Sequence, residues 1–420
     1  MDPPQQALGE ADQLALQRRV LVVLSVSQVF AGVGFFIGLA VIALLSRELS
    51  GSAALSGMPP AIAVIGSALA APPIAALMGR FGRRPGLVAC YAIAALGSLV
   101  IVAAAGLGSF PGVCAGAFGF GLGSTAILLA RYAGADLSPA SRRGRAVSTV
   151  LVVTTVGALL GPNLSQGAAT VADRLGGPAL AGPFVVSAVG FVIAALILAM
   201  FLRPDPLLVA QRLGKETNGG QDPGLGEVAR GWTPLALVAL ATLVAINAAM
   251  IAIMTMTPIH LADGGGSLGV IGLVISLHLG AMFLPSPLTG WASDRYGRLP
   301  VIAAGAVVLC AAGALASIAA PDAFVLIAFA LVLLGLGWNL GLVSASALLI
   351  DATPPAARPR AQGLSDLAMS FGGGGASLGS GLALQHSGYS SLGLAGVVIG
   401  VLLVLTAIAA RRLPEMAPQT

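Results

Sequence analysis

Gly290-Trp291-Ala292-Ser293-Asp294-Arg295-Tyr296-Gly297-Arg298 lies in the second half of the chain, and its last four residues have an earlier counterpart. Arg80-Phe81-Gly82-Arg83 returns as Arg295-Tyr296-Gly297-Arg298, 215 positions later. A second set repeats at the same offset: Asp136, Pro139, Arg143, Arg145 and Ala146 return as Asp351, Pro354, Arg358, Arg360 and Ala361. Two separate loops sharing one offset without insertions mark an internal duplication, and a duplication of this length governs the architecture of the whole chain.

Composition says in which solvent the duplicated units fold. Of the 420 residues, 57% are hydrophobic and only 9% are charged, and the mean hydropathy is +0.96. A soluble domain carries about 25% charged residues, so this chain cannot cover itself with a water-facing surface. Its apolar segments run to about 20 residues, the length an α-helix needs to cross a bilayer. The short alternating strands of a membrane barrel are not present. The spans read as residues 20–45, 55–78, 86–107, 111–134, 146–170, 181–203, 234–258, 268–290, 300–319, 322–349, 362–384 and 390–411. Placing the N-terminus in the cytoplasm puts 19 of the 21 basic residues on the cytoplasmic side, leaving Arg47 and Arg174 outside. That bias explains the net charge of +5 as topology, not as a nucleic-acid surface, and it requires an even number of spans.

The polar stretch before Val20, with Glu10 and Asp12, does not read as a cleaved leader, so the first span is expected to serve as the insertion signal. Cys90, Cys114 and Cys310 all fall in spans far apart in sequence, which points to packing residues and not to a disulfide framework. Residues 204–233, with Pro204, Pro206, Lys215, Gly219, Gly220, Asp222 and Pro223, have the composition of a linker. The expected organisation is a six-helix half over residues 1–203, a cytoplasmic linker over 204–233 and a second six-helix half over 234–420. The class is all-α: a polytopic membrane protein of twelve transmembrane helices.

This pattern resembles the major facilitator superfamily over essentially the full chain. The family's G-x-x-x-D-R-x-G-R signature stands intact as Gly290, Asp294, Arg295, Gly297 and Arg298. Its first-half copy keeps Arg80, Gly82, Arg83 and Arg84 but has Ala75 and Gly79 where the family has Gly and Asp. The acidic-x6-Arg element matches as Asp136/Arg143 and Asp351/Arg358. The resemblance implies a transporter, not an enzyme, in which two halves rock about a central site. It also implies a monomer in the lipid bilayer; the Arg-, Ala- and Gly-rich composition points to a bacterial cytoplasmic (inner) membrane, and the charge bias to both termini in the cytoplasm. Gly290 and Gly297 would permit a tight turn and close helix approach. Asp294 would sit against a helix N-terminus, and Arg295 and Arg298 would pair with Asp351 as a cytoplasmic latch. Because Gly79 lacks the carboxylate, the stronger latch is expected in the second half.

Substrate chemistry has to come from polar or soft groups inside the spans. His278 is the ionisable residue nearest the centre of a span, and Met282 follows at i+4 on the same face. Met250 and Met254 share that spacing on the seventh span, and Met256 with His260 forms another such pair near its outer end. Thioethers with imidazole suit Cu(I), although Met also fills gaps in helix packing and spacing alone leaves that reading open. MxxxM followed by HxxxM resembles the bacterial copper importers that supply cytochrome oxidase assembly. That resemblance implies that Met250, Met254, His278 and Met282 bind copper as a transported substrate, with no resident cofactor. A second reading is proton-coupled export or import of a small organic molecule, drug-like or flavin-like. Gly157, Gly161 and Pro162 resemble the G-x-x-x-G-P element of drug antiporters, although the Arg and Gln expected in the fourth span are missing. Gln28, Asn163, Gln166, Asn247 and Asn339 are candidate cavity-lining groups.

Overall fold

In hydrocarbon a helix is favoured because it satisfies each backbone N–H and C=O internally. A computed structural model describes residues 10–138, 143–214, 233–353 and 358–412, and the regular structure among them is helical. The first half comprises α1 (Glu10–Ser50), α2 (Met58–Phe81), α3 (Arg83–Gly106), α4 (Phe110–Ala135), α5 (Arg143–Asn163), α6 (Ser165–Arg174) and α7 (Gly182–Phe201). A short helix, α8 (Pro206–Gly214), opens the linker. The second half comprises α9 (Pro234–Asp263), α10 (Leu268–Phe283), α11 (Ser286–Tyr296), α12 (Arg298–Ile318), α13 (Phe324–Asp351), α14 (Arg358–Ser387) and α15 (Tyr389–Ala410). We refer to the face carrying the repeated Arg-rich loops as the basic side, and to the opposite face as the far side.

Two expected spans are interrupted. The fifth breaks at Leu164 into α5 and α6, just after Pro162, and the eighth breaks at Leu284 and Pro285 into α10 and α11. Proline removes a backbone donor and crowds the preceding turn, which weakens the ladder near each break, although α2 and α9 carry Pro72, Pro73 and Pro258 without one. Each pair still completes one crossing. Ten segments among the described residues are long and apolar enough to span a membrane by composition. The remaining two crossings are α5–α6 and α14, which are equivalent under the 215-residue repeat. Both lie between the halves, where small and polar residues face protein instead of lipid.

The duplication is visible in the packing. Within the first half α1 packs on α5 and α7, and α3 packs on α4 and α7; within the second, α9 packs on α14 and α15, and α12 packs on α13 and α15. The halves meet through α5 against α10 and, by the same symmetry, α14 against α2. Close helix approach depends on glycine. A Cβ built on Gly157 would lie 2.7 Å from the Gly32 Cα, so α5 and α1 touch backbone to backbone. The two repeated loops share one backbone device: Gly82 at φ +97° and Gly297 at φ +93° occupy a region that side chains avoid, and each starts the next helix.

Gly157→Leu tests this packing. Forcing a side chain into the α1–α5 contact should cost about 1–3 kcal/mol, read as a lower thermal midpoint of the detergent-solubilised protein.

Candidate functional site

The polar residues expected to line a cavity are instead bonded. Gln28 is fully buried, donates to the Ile127 carbonyl at 3.1 Å and to Thr154 Oγ1 at 3.3 Å, and accepts from the Tyr91 hydroxyl. It ties α1 to α3, α4 and α5. Asn247 donates to the Met369 carbonyl at 3.0 Å and accepts from Trp338 Nε1 at 3.1 Å, joining α9 to α14 and α13. Asn339 donates to the Met282 carbonyl and to Ser286 Oγ, both at 2.7 Å, and accepts from the Thr289 hydroxyl. Those three partners straddle the α10–α11 break, so Asn339 supplies a hydrogen bond that the interrupted ladder lacks. At the α5–α6 break Asn163 donates to the Leu159 carbonyl and to Ser276 Oγ, each at 2.7 Å.

Asn163 and Gln166 also belong to a contact between the halves. Ser276 is on α10 and donates back to the Leu159 carbonyl at 2.9 Å, while Gln166 accepts from Gly269 N at 3.2 Å in the first turn of α10. The symmetric contact uses Gln385 at the end of α14, which accepts from Ser52 Oγ at 2.9 Å and Ala54 N at 2.8 Å. Ser377 Oγ donates to the Gly57 carbonyl at 2.9 Å, and Arg47 pairs with Asp263 at 2.7 Å. All of these lie toward the far side, which is therefore closed. On the basic side Arg131 of α4 pairs with Asp366 of α14 at 3.7 Å.

The basic-side loops differ from expectation in three ways. Arg298 pairs with Asp294 and, at 3.0 Å, with Asp351, but Arg295 is exposed and enters no ion pair among the described residues. Arg295 ends α11 pointing outward, whereas Arg298 starts α12 beside α13. Gly290 makes no close helix contact: a Cβ there would meet nothing within 4 Å. The better-buried pair is in the first half, where Arg83 grips Asp136 through two bonds of 2.9 and 3.1 Å, with 16% and 11% of the side chains exposed.

The carboxylate missing at Gly79 has a substitute, Asp205. One Asp205 oxygen accepts from Arg83 N at 3.1 Å and from Leu207 N at 3.0 Å; the other accepts from Arg84 N at 2.7 Å. It thus caps α3 and α8 together and pins the start of the linker to the first half. An Asp immediately before a helix-starting Pro is a local capping signal that could have identified it. Arg358 donates to the Ile350 and Thr353 carbonyls at 3.1 and 3.2 Å, capping the end of α13. Arg80 lies 5.2 Å from the centre of the Phe81 ring. The Arg143 side chain and linker residues 215–232 lie outside the described residues.

The four soft side chains are all buried: His278 is fully enclosed, and Met250, Met254 and Met282 are 5%, 8% and 5% exposed. Their helices α9 and α10 both pack on α13 more extensively than on each other. His278 Nδ1 lies 2.7 Å from the Leu331 carbonyl on α13. A carbonyl only accepts, so Nδ1 carries the proton and Nε2 presents a lone pair. That Nε2 is buried with no hydrogen-bond partner. Met256 and His260 do not converge: Met256 Sδ lies 3.6 Å from Ser56 Oγ in the first half, whereas His260 Nε2 donates to the Ala319 carbonyl and its ring stacks on Tyr389.

Two duplicated helix bundles joined at one end, with ionic loops at the other and interrupted helices between them, define a polytopic membrane transporter. The Major Facilitator Superfamily model matches residues 24–265 and again 237–420, and the chain belongs to that family of transporters. It is 40% identical over 411 residues to the uncharacterised MFS-type transporter YddS of Bacillus subtilis, covering 96% of this chain and 94% of that protein. It is 32% identical to the riboflavin transporter RfnT of Brucella anthropi, covering 95% and 97% respectively. Among solved structures, a bacterial homologue of the human lysosomal transporter Spinster shares the fold with a TM-score of 0.69 at 17% identity, over 94% of both chains.

The far-side bonds give a direct test. Replacing Arg47 and Gln385 together with Ala should loosen the closed end, and a cysteine introduced at the buried Met256 should then react with a far-side maleimide several-fold faster.

Proposed function

We propose that this transporter works by alternating access in the bacterial cytoplasmic membrane and takes up copper, handed between Met254, Met250, His278 and Met282. Residues 1–203 and 234–420 are the moving halves, acting in a monomer, with 204–233 and both termini in the cytoplasm. The observation that carries the reading is the His278 imidazole. Its Nδ1 proton is committed to Leu331 and its Nε2 lone pair is buried and unbonded, with Met282 one helical turn away. Ligating imidazoles are oriented in this way, the far nitrogen fixed by a carbonyl and the near one left for the metal. Thioethers add affinity for Cu(I) without adding charge. Because the four groups are nearly closed off in this conformer, copper reaches them as the halves move. In the opposite state Asp294 would approach the start of α5 and complete the cytoplasmic latch.

A second reading is transport of a flavin-like organic molecule, favoured by the similarity to a protein named as a riboflavin transporter. Proteoliposomes separate the two. Copper uptake predicts Cu(I) accumulation above empty vesicles, reduced at least about tenfold by His278→Ala and by Met254→Ala, the loss of roughly 1.4 kcal/mol or more of transition-state binding. Unchanged accumulation in both variants would sink the copper reading. Riboflavin uptake indifferent to both substitutions would select the second.

A further inference from the structure

The linker helix and the first half enclose a crevice of about 500 Å³ at the basic end of the bundle. Its walls come from the end of α2, the start of α3, the end of α7 and α8, including Phe81, Arg84, Pro85, Val88, Ala199 and Leu208. These ends sit where spans leave the hydrocarbon, so the crevice opens at headgroup depth with an apolar interior.

Charge decides what such a space holds. The charged residues on its walls are Arg84 and Asp205. The Asp205 oxygens are taken by backbone N–H groups of α3 and α8, so its charge is spent on two helix N-termini. The neighbouring Arg83 is committed to Asp136. Arg84 is half-buried and enters no ion pair among the described residues, and Arg80 stands close by over Phe81. The crevice therefore joins an available guanidinium to an apolar slot, the complement of a phospholipid carrying net negative charge.

We propose that this crevice is a binding site for one anionic phospholipid, with the phosphate on Arg84 and an acyl chain along Val88, Ala199 and Leu208. The Asp205 double cap builds the site by holding α8 in place as its outer wall. Lipid and linker helix then stabilise each other, and the linker start is fastened to the first half in anionic membranes.

Native mass spectrometry of the purified full chain tests this, titrating phosphatidylglycerol against phosphatidylcholine. The wild type should retain phosphatidylglycerol preferentially, and Arg84→Ala should weaken that retention about fivefold, the worth of one basic contact to an anionic headgroup. Leu208→Trp keeps every charge but fills the slot, and it should weaken retention comparably. It also decides the matter if Arg84→Ala does not fold. No preference in the wild type, or full retention in Leu208→Trp, overturns the proposal. So does loss of the preference in Arg80→Ala while Arg84→Ala keeps it, since the lipid would then sit on the surface and not in the crevice. None of these readouts depends on the transported substrate.

Discussion

Inside a bilayer no water is available to hydrogen-bond a backbone group that loses its helical partner, and each such group costs several kcal/mol. The interior of this transporter is arranged around that constraint. Proline stands at both interrupted crossings; at the α10–α11 break Asn339 supplies a substitute donor to the Met282 carbonyl, and at the α5–α6 break Asn163 donates across to Ser276. The Asn163 contact crosses the halves, and Ser276 on α10 also donates to the Leu159 carbonyl.

The duplication makes the two halves alike in helix packing but not in how their basic ends are held. The first half uses a buried, two-bonded Arg83–Asp136 pair and a carboxylate brought from the linker, Asp205. The second uses the more exposed Arg298 group and Arg358 on the carbonyls ending α13. The better-buried anchor is therefore in the first half, and the more exposed groups, Asp294 and Arg295, are in the second.

The copper candidates are held in a similar economy of partners. Gln28, Asn247 and Asn339 have their hydrogen-bonding groups taken up by neighbouring helices, which removes them as ready contacts for a polar cargo. Among the described side chains of the predicted site residues, His278 combines full burial with an unbonded nitrogen. A buried lone pair without a donor is unfavourable and needs a reason to persist. This is why the site reading rests on that ring and not on the methionines, whose burial is equally that of core packing.

Much was legible in the residues themselves. Helical spans follow from hydropathy because the solvent is hydrocarbon, and the two-half plan follows from one offset shared by two loops. The Asp205 cap is legible in its place before Pro206, but the two breaks are not, because proline also stands inside the unbroken α2 and α9. What the sequence could not give was the partner of each polar side chain. Each residue turns a helix by about 100°, so whether Asn247 meets a cavity or Trp338 depends on small rotations of packed helices. Nor could it say which face is closed, because Gly290, Arg295 and Asp294 keep the same local chemistry whether or not another helix lies against them. Local composition and period determined the elements and their number. Only the tertiary packing decided which groups were left without a partner, because that depends on residues 53 positions apart, as for His278 and Leu331, or 126 apart, as for Gln28 and Thr154.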